Sequence, residues 1–222
     1  MEPAYYYVIE HMEEDESTPA CLPPWVELEY CHMVQLAGSS AFVQFTHLSQ
    51  NAGNSLRIKL SSLGGVQGKD QHASYEVHTA SILDLLQEKN ISLEKVCLLD
   101  PKAERVLEPR DKDEFRWFLF GGILGDDPPR DRTSELRKLG FPSRHLGPVQ
   151  MTTDTALAVT KRVVDDGVAL DRIPYVDFPT IRFNARESVE MPFRYISERG
   201  EPLLPPGMRK HLHEDLNKSF DF

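Results

Sequence analysis

Phe118-Leu-Phe-Gly-Gly-Ile-Leu-Gly-Asp-Asp-Pro-Pro129 (FLFGGILGDDPP, residues 118–129) decides how the chain reads. An apolar run stops at Gly121-Gly122, resumes for Ile123-Leu124, and closes with Gly125, two carboxylates and two prolines. Paired glycines at a strand end let the backbone turn freely and bring main chain close to a ligand. A second edge of this kind follows at residues 146–157, LGPVQMTTDTAL, where Gly147-Pro148 ends one segment and Thr152 or Thr153 is placed to cap the next helix. Two strand-end loops separated by a short helical piece suggest a bound small molecule in an α/β protein. The plainer alternative for either loop alone is an ordinary strand-to-helix turn.

The rest of the chain keeps the same rhythm. Strands are predicted over Tyr5–Ile9, Ala41–Thr46, Val96–Leu99, Phe115–Phe120 and Arg144–Leu146. Helices are predicted over Trp25–Leu36, Leu56–Leu63, Ala80–Glu88, Arg132–Leu139 and Thr153–Val164. Between the second and third helices, the stretch GGVQGKDQHAS reads as a polar loop. Alternation of strand and helix points to an α/β fold with a mostly parallel sheet and helices on both faces. The 222 residues are expected to form one domain, with 171–222 a proline-punctuated extension packed on it and ending in a charged helix from Met208.

Several stretches carry a family resemblance: YYYVIEHMEE (5–14), WVELEY (25–30), VCLLDPKA (96–103), FGGILGDDPPRDRT (120–133), GPVQMTTDTA (147–156) and EMPFRY (190–195). On these motifs the chain resembles the SPOUT superfamily of S-adenosylmethionine-dependent methyltransferases. It is most similar to the branch that methylates an arginine of a small-subunit ribosomal protein. The resemblance implies a C-terminal deep trefoil knot, which composition alone never predicts. It also implies a cofactor held near Leu99 and Asp100, against Leu119, Phe120, Gly121, Gly122, Ile123, Leu124 and Gly125, and against Leu146, Gly147, Val149 and Met151. Thr152 and Thr155 either reach that cofactor or cap the helix they begin. Many SPOUT enzymes complete their site across a dimer interface, so monomer and homodimer both stay open.

Charge bears on the partner. The net charge is −10, and no lysine- or arginine-rich run is present. Proteins that grip nucleic acid gain affinity by neutralising phosphates, so a basic protein substrate is expected rather than direct nucleic-acid binding. The clearest cluster is acidic: Glu10, Glu13, Glu14, Asp15 and Glu16. It reads either as solvated loop or as an electrostatic funnel for a basic partner. No apolar stretch approaches a membrane span, no secretory leader is evident, and three scattered cysteines make no disulfide or zinc pattern. A cytoplasmic location is expected, and Cys97 reads as core.

Methyl transfer from a sulfonium needs alignment and exclusion of water more than covalent help. The acceptor is harder, because a guanidinium is protonated and delocalised. Carboxylates can grip it, aim one nitrogen and favour loss of its proton. The candidates are Glu10, Glu13, Asp126 and Asp127, with helix capping as the other role open to the aspartates. Glu29 reads as a surface or buffering charge, and His11, beside Glu10, either as an acid or base or as a polar loop histidine. No metal requirement is expected: His211 and His213 fall on different sides of a helix. GGVQGKD lacks the residues of a phosphate loop, and GGILG is not a dinucleotide fingerprint. The alternatives to an arginine methyltransferase are an RNA ribose or base methyltransferase and a non-catalytic ribosome-assembly binder.

Overall fold

A computed structural model describes residues 2–12, 22–65, 72–122, 131 and 133–218. The chain runs β1 (Tyr5–His11), α1 (Pro24–Ala37), β2 (Ala41–Thr46), α2 (Gln50–Ser61), β3 (Ser74–Val77), α3 (Ile82–Glu88), β4 (Val96–Leu99), β5 (Trp117–Gly122), α4 (Thr133–Lys138), β6 (Ser143–Arg144) and α5 (Thr153–Val164). After these come β7 (Tyr175–Asp177), β8 (Thr180–Arg182), β9 (Ser188–Glu190), β10 (Arg194–Glu198), β11 (Glu201–Pro202) and α6 (Met208–Lys218).

The first six strands form one parallel sheet in the order β3-β2-β1-β5-β4-β6. Period-two alternation divides it cleanly into two faces. Tyr7 and Ile9, Val43 and Phe45, Cys97 and Leu99, and Phe118 and Phe120 pack against α1, α2 and α5. Val8, Val96, Leu98, Trp117 and Leu119 pack against α3 and α4. Both faces are covered, as a parallel sheet requires. Burial pushes the Cys97 thiol up to about 12, so it is an inert core group.

Some boundaries depart from the sequence reading. Helix α2 begins at Gln50, six residues early, because the Ser49 hydroxyl accepts the Ala52 N–H and caps it. Strand β3 emerges from what reads as polar loop; its four residues are too few to show alternation, and pairing with β2 makes them a strand. His11 is not a loop residue: it is the buried end of β1, with Nδ1 2.8 Å from the Tyr30 hydroxyl.

Beyond α5, β7, β10 and β11 form a small antiparallel sheet, and β8 pairs with β9. This segment is tied back where Arg194 bridges Met151, its N–H donating to the Gln150 carbonyl at 2.8 Å. Helix α6 packs on α1. Among the described residues no helix is long and apolar enough to cross a membrane.

Short β6 is anchored by charge. The buried Arg144 donates to Asp111 through Nε at 3.0 Å and to the Ser143 carbonyl at 2.9 Å, with its guanidinium over the Phe115 ring. Replacing Arg144 with Met strands a buried carboxylate. Arg144→Met is expected to cost about 3–5 kcal/mol in urea unfolding, with much of it recovered when Asp111→Leu is added. An unchanged midpoint in the single variant would contradict this anchoring role.

Candidate active site

Every strand of a parallel sheet delivers its carboxyl end to the same edge, and ligands gather there where the strand order reverses. In this chain β4, β5 and β6 end side by side, and α5 begins above them. The resulting cavity has a volume of about 450 Å³. Its floor and walls include Leu99, Phe120, Gly121, Leu146, Val149, Met151 and Ala156, with Asp100, Lys102, Asp131, Thr133, Gln150 and Thr153 as polar members. A mostly apolar cleft with a few placed polar groups is the usual form of a small-molecule site.

The loop after β6 is shaped by Gly147, whose φ of 101° is strained for any residue with a side chain. Its N–H donates to His145 Nδ1 at 3.1 Å. Helix α5 then presents Thr153 and Ala156, three positions apart on one face, to the cavity. Its first turn carries Asp154, favourable at the positive end of the helix dipole.

Asp100, almost fully buried at the end of β4, is held by two partners. Arg137 of α4 grips it through both Nε and Nη2, the latter at 2.7 Å, and the Lys102 N–H donates to it at 2.9 Å. Arg137 also reaches Asp131, which accepts Lys102 Nζ at 2.7 Å. Hydrogen bonds from Arg137 and then Lys102 hold the Asp131 carboxyl down at about 2. This network ties β4 to α4 across the cavity rim.

Of the residues the resemblance assigns to the cofactor, Leu99, Asp100, Phe120, Gly121, Leu146, Gly147, Val149 and Met151 line this cavity. Leu119 does not: alternation turns it into the core beneath α3 and α4. Gly122 faces protein, since a Cβ there would lie 3.0 Å from both the Glu10 carbonyl and the Tyr30 hydroxyl. Thr152 and Thr155 bond to each other at 2.8 Å, so Thr152 offers its hydroxyl to Thr155 rather than capping the helix backbone. Thr153 takes the position facing the cavity. Ile123, Leu124, Gly125, Asp126, Asp127 and Glu13 lie outside the described residues. Lys102, Asp131 and Thr133 escape the sequence reading because each is an ordinary loop or helix-start residue until α4 and β6 fold back.

Glu10 sits one strand from the cavity, paired in register with Gly121. It is buried, and Oε2 accepts the Thr46 hydroxyl at 2.5 Å and the Ile82 N–H at 2.9 Å. Oε1 lies 3.6 Å from Nδ1 of the solvent-exposed His47, too far for a hydrogen bond. Burial raises the Glu10 carboxyl above its ordinary range, against the lowering pull of Thr46 and Ile82. His47 itself holds a φ of 62°, an uncommon conformation for a residue with a side chain. Glu29 is a correction: it is buried between α1 and α5, not a surface charge. The signal was present, because positions 26, 30, 33, 34 and 37 make an apolar stripe that Glu29 adjoins.

A family model described as "Protein arginine N-methyltransferase SFM1-like" matches residues 6–219. Protein arginine N-methyltransferase SFM1 of Saccharomyces cerevisiae is 40% identical over 221 residues, covering 97% of each chain. In structure, yeast arginine methyltransferase SFM1 complexed with SAM matches at a TM-score of 0.79 and 37% identity, covering 95% of this chain and 91% of that one. A dual-specific Trm10 from Thermococcus kodakaraensis matches at a TM-score of 0.50 and 20% identity over 75% of this chain and 95% of that one, a likeness of fold alone.

The position of Gly122 yields a test. Gly122→Val forces β1 or Tyr30 to move, so unfolding experiments should show a loss of about 1–3 kcal/mol. Unaltered stability with a large loss of ligand affinity would instead put Gly122 on the ligand.

Proposed function

This chain belongs to the SFM1-like protein arginine N-methyltransferase family, and we propose that it transfers a methyl group from S-adenosylmethionine to an arginine of a basic protein, a small-subunit ribosomal protein. The observation that carries the reading is the cavity at the ends of β4, β5 and β6. Its volume lies within the roughly 300–1,000 Å³ of small-molecule sites. Its apolar lining suits an adenine ring, and its rim holds Lys102 and Asp131 for polar ends. The trefoil knot implied by the resemblance belongs to the same reading.

Bound there, S-adenosylmethionine supplies an electrophilic methyl on a sulfonium. The protein's part is to hold, aim and deprotonate. Backbone around Gly121 and Gly147 allows close approach, while Leu99, Phe120, Leu146 and Met151 exclude water. Glu10 is the described carboxylate we assign to the acceptor guanidinium. Thr46 and Ile82 fix Oε2, which leaves Oε1 to accept a guanidinium N–H in place of the distant His47. A carboxylate raised by burial is a stronger proton acceptor than an ordinary one, which suits an acceptor that must lose a proton as the methyl arrives. Glu13, close after Glu10 in sequence, and Asp126 and Asp127, after the glycine turn, belong to this reading as further carboxylates. The net charge of −10 supports a basic protein over RNA.

Labelled S-adenosylmethionine, incubated with the protein and with separated ribosomal proteins and RNA, should put label in arginine of a small-subunit protein. Label in RNA alone overturns the substrate reading. Glu10→Gln should leave cofactor affinity within about twofold and lower kcat at least about tenfold. Wild-type activity should fall on acidification, through a value above the ordinary carboxylate range, as Glu10 takes up a proton. An undiminished kcat in Glu10→Gln removes Glu10 from the chemistry.

A further inference from the structure

Helices α1 and α5 enclose a group of ionisable side chains outside the cavity. Glu29 and His32 lie one turn apart on α1, and Asp154 occupies the first turn of α5. Their residue exposures are 5%, 5% and 1%. His32 Nδ1 is 2.8 Å from Asp154 Oδ2. Among the described residues, Glu29 Oε2 and Asp154 Oδ1 are buried and meet no hydrogen-bond partner. Two buried carboxylates whose charges act on each other cannot both be charged cheaply, and a shared proton removes the conflict.

We propose that Glu29 keeps its proton in the folded protein and donates it to Asp154, so that a Glu29–Asp154–His32 chain sets the first turn of α5. That turn carries Thr153 and Ala156 into the cavity wall. Glu29 and Asp154 are thus positioning residues for the cofactor, touching neither it nor the acceptor. Burial first, and then the Asp154 charge, push the Glu29 carboxyl well above its ordinary range. The contribution of this proton to stability is complete below the ordinary value of 4.5 and is lost as pH rises toward the folded value.

Other groups around α1 are accounted for. Helix α5 also brings Lys161, held by Asp165 and Asp166, and β10 brings the Tyr195 hydroxyl, raised by burial and then by Asp154 and Glu29. Helix α2 brings Lys59, 3.9 Å from Glu27, and β2 turns apolar Val43 and Phe45 to this face. Helix α6 carries Arg209 near Glu201, Lys210 near Glu214, and His211.

The inference rests on the cofactor reading of the cavity, and one experiment separates the two. S-adenosylmethionine is titrated calorimetrically into the full chain and into Glu29→Gln from about pH 6 to about pH 10, with circular dichroism confirming the fold. Gln keeps a donor for Asp154 and cannot ionise. The two proteins should bind within about twofold at the acid end, and wild type should lose at least about fivefold more affinity at the alkaline end. Titration of the cofactor's own amino group is common to both and cancels. Asp154→Asn, which removes the opposing charge, should also shrink the alkaline loss and stands in if Glu29→Gln does not fold. Coincident pH profiles overturn the proposal, as does an effect confined to melting temperature. Absence of binding by wild type at every pH overturns the cofactor reading, and this inference with it.

Discussion

The structure depends on the parallel ladder between β1 and β5, from Tyr6 opposite Trp117 to His11 opposite Gly122. These strands are more than a hundred residues apart in sequence, so the pairing closes a long loop, and its entropic cost must be met by burial. The means are visible on both faces. Tyr7 and Phe118 meet with ring centroids 6.1 Å apart, and Tyr6 stacks on Trp117 at 4.3 Å. Once this ladder is in register, β2 and β3 extend one side and β4 and β6 the other. Glu10 is thereby set beside Gly121, and a carboxylate comes to stand one strand from the cavity.

Charge serves placement more than attraction in this fold. Asp100, Asp111 and Asp154 are all buried, and each is answered by a cationic or ring partner from a distant segment: Arg137, Arg144 and His32. Buried pairs of this sort add little net stability, yet breaking one leaves an uncompensated charge. They therefore penalise wrong arrangements of the segments around the cavity. Among the described residues Glu29 is the member without a cation, and a retained proton takes the place of one. Surface pairs such as Arg110 with Glu108 have no comparable leverage, because solvent screens them.

Much of the architecture was legible because alternation survives in the strands. Ala41–Thr46 and Val96–Leu99 read directly as strands, and Thr153–Val164 as a helix. Glycines of both loops, Gly121 and Gly147, fall at the sheet edge where the cavity opens. What failed was direction and partnership. Leu119 lies inside the glycine-bearing motif but points away from the cavity, since its neighbours at 118 and 120 take the other face. Gly122 is required by the approach of β1 and Tyr30, and the sequence cannot say which neighbour demands a glycine. Thr153 displaced Thr152 and Thr155 through the 3.6-residue turn of α5, whose phase is set only when α1 packs on it. Asp131 and Lys102 are 29 residues apart and become one rim only through Arg137.

The central claim is that the cofactor lies at the joined ends of β4, β5 and β6. Tested most directly, it calls for a crystal structure of this chain grown with S-adenosylhomocysteine, the product left after methyl transfer. Density for the product is expected among Leu99, Phe120, Gly121, Leu146 and Met151, with its sulfur on the side toward Glu10. On the far side of the Leu146–Pro148 loop runs a separate groove lined by Val106, Pro109, Leu170, Tyr175 and Arg194. Density in that groove, with the first cavity empty, would contradict the account.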